Sequence, residues 1–192
     1  MNRMLLVNTV KEFLEDNHFH YEYKPEKNLF KMTNGLPGAF AHCVSNIICT
    51  DDAIISIAVV PLKASEKKRA EVAELICRTN YSMKFGHFDL DFSKGEIRFC
   101  FTHCCEDHIP GKEEISSVCM VPSMMVARHS ERFAQVMFAD KSAQEICSEN
   151  EDDIVSLLHE VRRLRKELEE EIGEEIDIEK LITHPVEENK PE

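Results

Sequence analysis

His87-Phe88-Asp89-Leu90-Asp91-Phe92-Ser93-Lys94-Gly95-Glu96-Ile97-Arg98-Phe99-Cys100-Phe101-Thr102 is the stretch that decides the fold. Phe88, Leu90 and Phe92 alternate with His87, Asp89 and Asp91; beyond Ser93-Lys94-Gly95, Ile97, Phe99 and Phe101 alternate with Arg98, Cys100 and Thr102. Side chains of a strand point to opposite faces in turn, so two such runs around a short glycine loop predict a hairpin with one face buried. Gly95 is placed to supply the positive φ that such a loop requires.

Working back toward the N-terminus, Ser65-Glu66-Lys67-Lys68 opens a helix in which Val72, Leu75, Ile76 and Thr79 form the inward stripe and Asn80 marks the end; Ser65 is its expected N-cap. Ile54 to Val60 is β-branched and nearly free of polar groups, a buried strand that Pro61 is expected to end. Asp51-Asp52 fits a hairpin connection to a strand over residues 39–50, where Phe40, Val44 and Ile48 share a face. Asn34-Gly35 and Pro37-Gly38 read as a turn, and the aromatic-rich run from His18 to Tyr23, broken at Lys24 to Asn28, predicts extended chain that resumes at Leu29, Phe30 and Met32. Leu6, Val10, Phe13 and Leu14 give a first helix over residues 2–16.

Toward the C-terminus, helical spacing runs from Ile115 through Met137, with Pro122 predicting a kink or two abutting helices over Glu113 to Phe138. Residues 140–150 read as a polar link. A charged helix is expected from Asp152 to Ile172, with Leu157, Val161, Leu164 and Leu168 spaced four, three and four apart as two heptads of a coiled-coil seam. A short helix over Ile176 to Ile182 and a disordered tail from 184 to 192 complete the reading. The order α-β-β-β-α-β-β-α plus a C-terminal helical extension predicts the α+β class, an antiparallel sheet with helices packed on one face. The domain boundaries are 2–139, 140–150, 151–183 and 184–192.

Charge is concentrated at one end: residues 149–192 hold 16 acids and 6 bases out of a chain net of −13. That excludes nucleic acid and anionic membrane as partners, since both need a basic footprint. Asn8, Lys11 and Glu12 interrupt the apolar start well short of a signal sequence, so the expected location is the cytoplasm, where eight cysteines stay reduced.

Arg78-Thr79-Asn80, Gly86-His87-Phe88-Asp89-Leu90-Asp91 and Gly95-Glu96-Ile97-Arg98-Phe99 resemble the YbjN family, bacterial proteins in which a helix ending near an Asn leads into such a hairpin. The resemblance covers residues 2–138. It implies a fold similar to type III secretion chaperones, typically dimeric proteins that bind partner polypeptides, and links to stress and sensory regulation. It supplies no catalytic residue.

The chemistry-bearing residues are few. His103-Cys104-Cys105-Glu106-Asp107-His108 gathers imidazole and thiol groups, and Cys105-x-x-His108 has zinc-ligand spacing, but a closed site needs a second pair from Cys100, Cys119 or a distant residue. The competing reading is a strand end entering a loop, and no metal or other cofactor is assigned. Asp89 and Asp91 share a strand face and would serve as paired carboxylates or as a solvated surface. Met120, Met124 and Met125 suit an adaptable contact surface or a core. No G-x-S-x-G, phosphate loop or H-E-x-x-H occurs, and Gly35-Leu36-Pro37-Gly38 is turn chemistry. The expectation is therefore a non-enzymatic protein-interaction module, chaperone-like or regulatory, that forms a homodimer, binds a partner polypeptide and uses Leu157, Val161, Leu164 and Leu168. The alternative is a metal- or thiol-based sensor built on Cys100, His103, Cys105, His108 or Cys119.

Overall fold

In the computed structural model, residues 3–105, 108–139 and 141–148 are described. The charged helix expected from Asp152, with Leu157, Val161, Leu164 and Leu168, lies outside them, as does the tail. Helix α1 (Arg3–Asp16) buries Leu6, Val7, Val10 and Leu14. His18, with φ +56°, ends it in a left-handed turn, and Phe19 N–H donates back to the Leu14 carbonyl at 2.9 Å. Strand β1 (Tyr21–Lys24) and β2 (Leu29–Gly35) are joined by a single 3-10 turn at Pro25–Lys27, which is the interruption seen in the sequence. Then follow β3 (His42–Cys49), β4 (Ala53–Lys63), α2 (Arg69–Tyr81), β5 (His87–Asp91), β6 (Glu96–Cys104), α3 (Lys112–Arg128) and α4 (Ser130–Phe138).

The strands form one six-stranded sheet in the order β1-β2-β3-β4-β6-β5, antiparallel throughout, so the molecule is α+β. The deciding hairpin pairs Phe88 with Phe99 and Leu90 with Ile97. Its turn is closed by Gly95 N–H to the Asp91 carbonyl at 2.7 Å, with Gly95 at φ +72°. A side chain at Gly95 would strike the Ala64 carbonyl, so the position needs glycine twice over.

One face of the sheet carries the helices. Small residues at its centre, Ser45 on β3 with Ser56 and Ala58 on β4, are fully buried and leave room for α3 to lie across β3, β4 and β6. Larger side chains flank them in two clusters. The first joins Phe88, Phe99 and Phe133 with Val72, Leu75 and Val136. The second joins Leu6, Val10 and Leu14 with Ile47, Ile54, Ile115, Cys49, Cys105 and Cys119.

Several local expectations change. Pro61 does not end β4; the strand runs on to Lys63, and Pro61 sits exposed where the register shifts between Val59 and Lys63, a bulge position that needs no N–H donor. Ser65 makes no side-chain cap, and a 3-10 turn at Glu66–Lys68 precedes α2. Pro122 lies buried inside an uninterrupted α3, and the break comes at His129 instead, where α4 begins. Residues 143–147, read above as link, are helical; Ala143 and Ile146 are fully buried against the first cluster, and Ala143 N–H donates to Glu71 Oε1 at 2.6 Å. Apolar side chains at that spacing find the open edge of the α2–α4 layer.

Candidate functional site

Strand β1 pairs with β2 only as far as Tyr21 opposite Met32. Thr33, Asn34 and Gly35 continue β2 against β3, and among the described residues no strand pairs with their other edge. The backbone groups of an unpaired edge are strong hydrogen-bonding groups awaiting partners. Beside this edge lies a groove of about 710 Å3, walled on the far side by Met120, Ser123, Met124 and Ala127 of α3. Met120 and Met124 are exposed large apolar side chains, Met124 to 60%.

The local sequence explains the shape. Helical spacing puts Met120 and Met124 one turn apart, on the same side as Ala127. The floor is fixed by the turn after β2. Gly38 adopts φ +93° and packs against Ser130, and Ala39 N–H donates to Ser130 Oγ at 3.2 Å, which pins the turn to the start of α4. His18 and His20 line one side, and Arg128 and Glu131 another, so the apolar walls have polar ends of both signs. The sequence offered Met120 and Met124 as a contact surface or a core, and both are exposed; the groove was not legible, because its walls are some 90 residues apart in the chain. Met125 instead packs against the first core cluster.

The residues singled out for chemistry divide into separate places. Asp89 and Asp91 do share the outer face, but each is committed. Asp89 accepts from Arg98 Nη2 at 3.2 Å and from the Cys100 thiol at 3.3 Å. Asp91 accepts from the Ser93 hydroxyl at 2.6 Å and from the Ser93 and Lys94 amides, which holds its carboxyl down to about 2. They stabilise the hairpin and its turn. Cys100 is pushed up to about 11 by burial and by Asp89. Cys105 packs beside Cys49 and Cys119 in the second cluster; burial raises all three thiols, Cys49 and Cys119 to about 12. The ligand spacing Cys105-x-x-His108 is therefore not realised: the Cys105 thiol donates to the His103 carbonyl at 3.5 Å. His103 and His108 do come together, and their partner is Glu114, which the sequence reading did not select. Its signal was the capping spacing from Gly111, whose N–H donates to Glu114 Oε2 at 2.7 Å.

No helix among the described residues is long and apolar enough to cross a membrane. No curated protein matches the chain. It is similar to the crystal structure of YbjN from E. coli, with 15% identity and a TM-score of 0.44, over 69% of this chain and 88% of that one. A family model described as "YbjN: Putative bacterial sensory transduction regulator" matches residues 6–135, from α1 into α4, and the chain belongs to the YbjN family.

Proposed function

We propose that this protein is a non-enzymatic regulatory module, chaperone-like in mode, that binds an extended segment of a partner polypeptide in the groove between β2 and α3. The observation that carries this reading is the juxtaposition of an unpaired backbone edge at Thr33–Gly35 with the exposed Met120 and Met124. An extended peptide would continue β1 by adding as a strand to that edge, while its side chains meet thioethers that adapt to varied shapes. The family's description as a regulator agrees with a binding role. The thiols speak against nucleophilic catalysis, because burial raises five of them where an activated nucleophile needs the reverse. A cytoplasmic homodimer completes the proposal, resting on the resemblance to dimeric chaperones.

The test is a peptide library displayed against the full-length protein, followed by affinity measurement on the sequences selected. Met124→Glu puts a charge on an exposed wall without touching the core, and a loss of at least about tenfold is expected. Failure to select any peptide, or equal affinity for the variant, removes the groove as the site. Light scattering tests the dimer: a mass near 22.1 kDa rather than twice that value removes it.

A further inference from the structure

His103 at the end of β6, His108 between the two elements and Glu114 in the first turn of α3 bring three metal-binding side chains to one point. His108 Nε2 lies 3.0 Å from Glu114 Oε1, and His103 Nε2 lies 3.3 Å from the same oxygen. The imidazole rings meet edge to face, 80° apart with centroids at 5.9 Å. One donor atom from each of the three residues falls within 4.8 Å of the other two. The carboxylate is already oriented, since the Gly111 N–H holds Oε2 and turns Oε1 toward the imidazoles. Outer contacts of that kind are what position ligands around an ion.

Hydrogen bonding accounts for only part of this arrangement. The His108 contact has hydrogen-bond geometry, whereas His103 Nε2, for all its closeness to Oε1, makes no hydrogen bond among the described residues and is shielded from water. A buried ring nitrogen that makes no hydrogen bond is costly. A tetrahedral ion with bonds of about 2.0–2.1 Å holds its donors about 3.3 Å apart, close to the two imidazole–carboxylate spacings found here, while the two imidazole donors lie within 4.8 Å of each other. Among the described residues no lysine or arginine is paired to Glu114, in contrast to the His87, Asp89 and Cys100 group on the outer face, where Arg98 already occupies the carboxylate.

We propose that His103, His108 and Glu114 form a binding site for a divalent first-row transition ion of the zinc class, with water filling the remaining coordination. Two neutral imidazoles and one carboxylate suit such an ion and leave it an open position. The site ties β6 to the N-terminal end of α3, away from Met120 and Met124, and stands or falls independently of the groove.

Cobalt(II) titrated into the reduced, metal-stripped full-length protein tests it, read by visible absorption and by thermal melting. One ion per chain is expected, with a d–d spectrum lacking thiolate-to-cobalt charge transfer and with a rise in Tm. His108 is exposed, so His108→Ala leaves the fold intact; it should weaken binding by at least about tenfold and abolish the rise in Tm. Cys104→Ser should bind as the parent does. Absence of binding, equal binding by His108→Ala, or a charge-transfer band lost in Cys104→Ser would each overturn the proposal.

Discussion

The two halves of the core under the helices are built from different chemistry. Beneath α2 and α4 the contacts are aromatic: Phe88 meets Phe99 and Phe133 edge-on at 5.0 Å, and His129 packs against the same ring at 5.5 Å. Beneath α1 and α3 the packing is richer in aliphatic and sulfur groups, with Cys49, Cys105 and Cys119 among Ile47, Ile54 and Ile115, and its aromatic contacts gather on one buried ring, Phe30, which meets Tyr21 at 5.4 Å and Tyr23 at 4.7 Å toward the sheet edge. Phe101 touches both. The aromatic half buries much area in few, rigid side chains, so each carries a large share of stability. The other half has one fully buried ring, Phe30, and otherwise spreads the task over aliphatic and sulfur side chains. The sulfur-rich half, next to which His103, His108 and Glu114 gather, is therefore expected to tolerate change better.

The largest effect should therefore come from breaking the aromatic half. Phe99→Ala removes a fully buried ring that meets Phe88 and pairs across to Ala58, and should cost about 3–5 kcal/mol. Cys119→Ala deletes one sulfur from the other half and should cost about 1 kcal/mol. Urea unfolding of both variants makes the comparison directly; equal costs would show that the two halves share load evenly.

An intermediate effect separates the halves by pH. His129 is buried, and its pKa falls to about 4, first from burial and then from Arg132 and Arg128. Its usual value is about 6.5, so on acidification the unfolded chain takes up this proton before the folded one. The contribution is complete above pH 6.5 and is lost as pH falls toward 4, by as much as about 3 kcal/mol. Asp91 acts in a lower window, between its usual value near 3.8 and its folded value of about 2. In His129→Gln the slope of stability between pH 6.5 and 4 should flatten; an unchanged slope would mean that the ring is not the group titrating.

How much of this was legible follows from what each feature depends on. The hairpin, its Gly95 turn and the buried faces of α1 and α2 are local and periodic, so the sequence carries them outright. Pro61 and Pro122 misled because proline reports a missing N–H and not a chain end. A bulge absorbed the first, and packing of Val118, Cys119 and Val126 on the sheet carried α3 through the second. The groove depends on β1 stopping one pair short of Thr33, which no pattern in β1 announces. The imidazole pair was visible in the sequence, but its third member was hidden behind a capping role.

The smallest effect concerns the adjacent thiols, Cys104 and Cys105. Neighbours on a strand face opposite sides, and the alternation carries one residue past the end of β6: Cys104, its last residue, is exposed, whereas Cys105 is fully buried in the sulfur-rich half. A vicinal pair split in this way cannot act as one dithiol, and only its outer member meets reagent. At pH 8 a maleimide should label Cys77 and Cys104 rapidly and spare Cys49, Cys105 and Cys119 until the chain unfolds, since burial keeps those three protonated as well as covered. Cys104→Ser should shift stability by less than about 0.5 kcal/mol and remove one fast label. Rapid labelling of Cys105 in the native protein would show that the sulfur-rich half opens without global unfolding, and the contrast between the halves would then be one of dynamics rather than of composition.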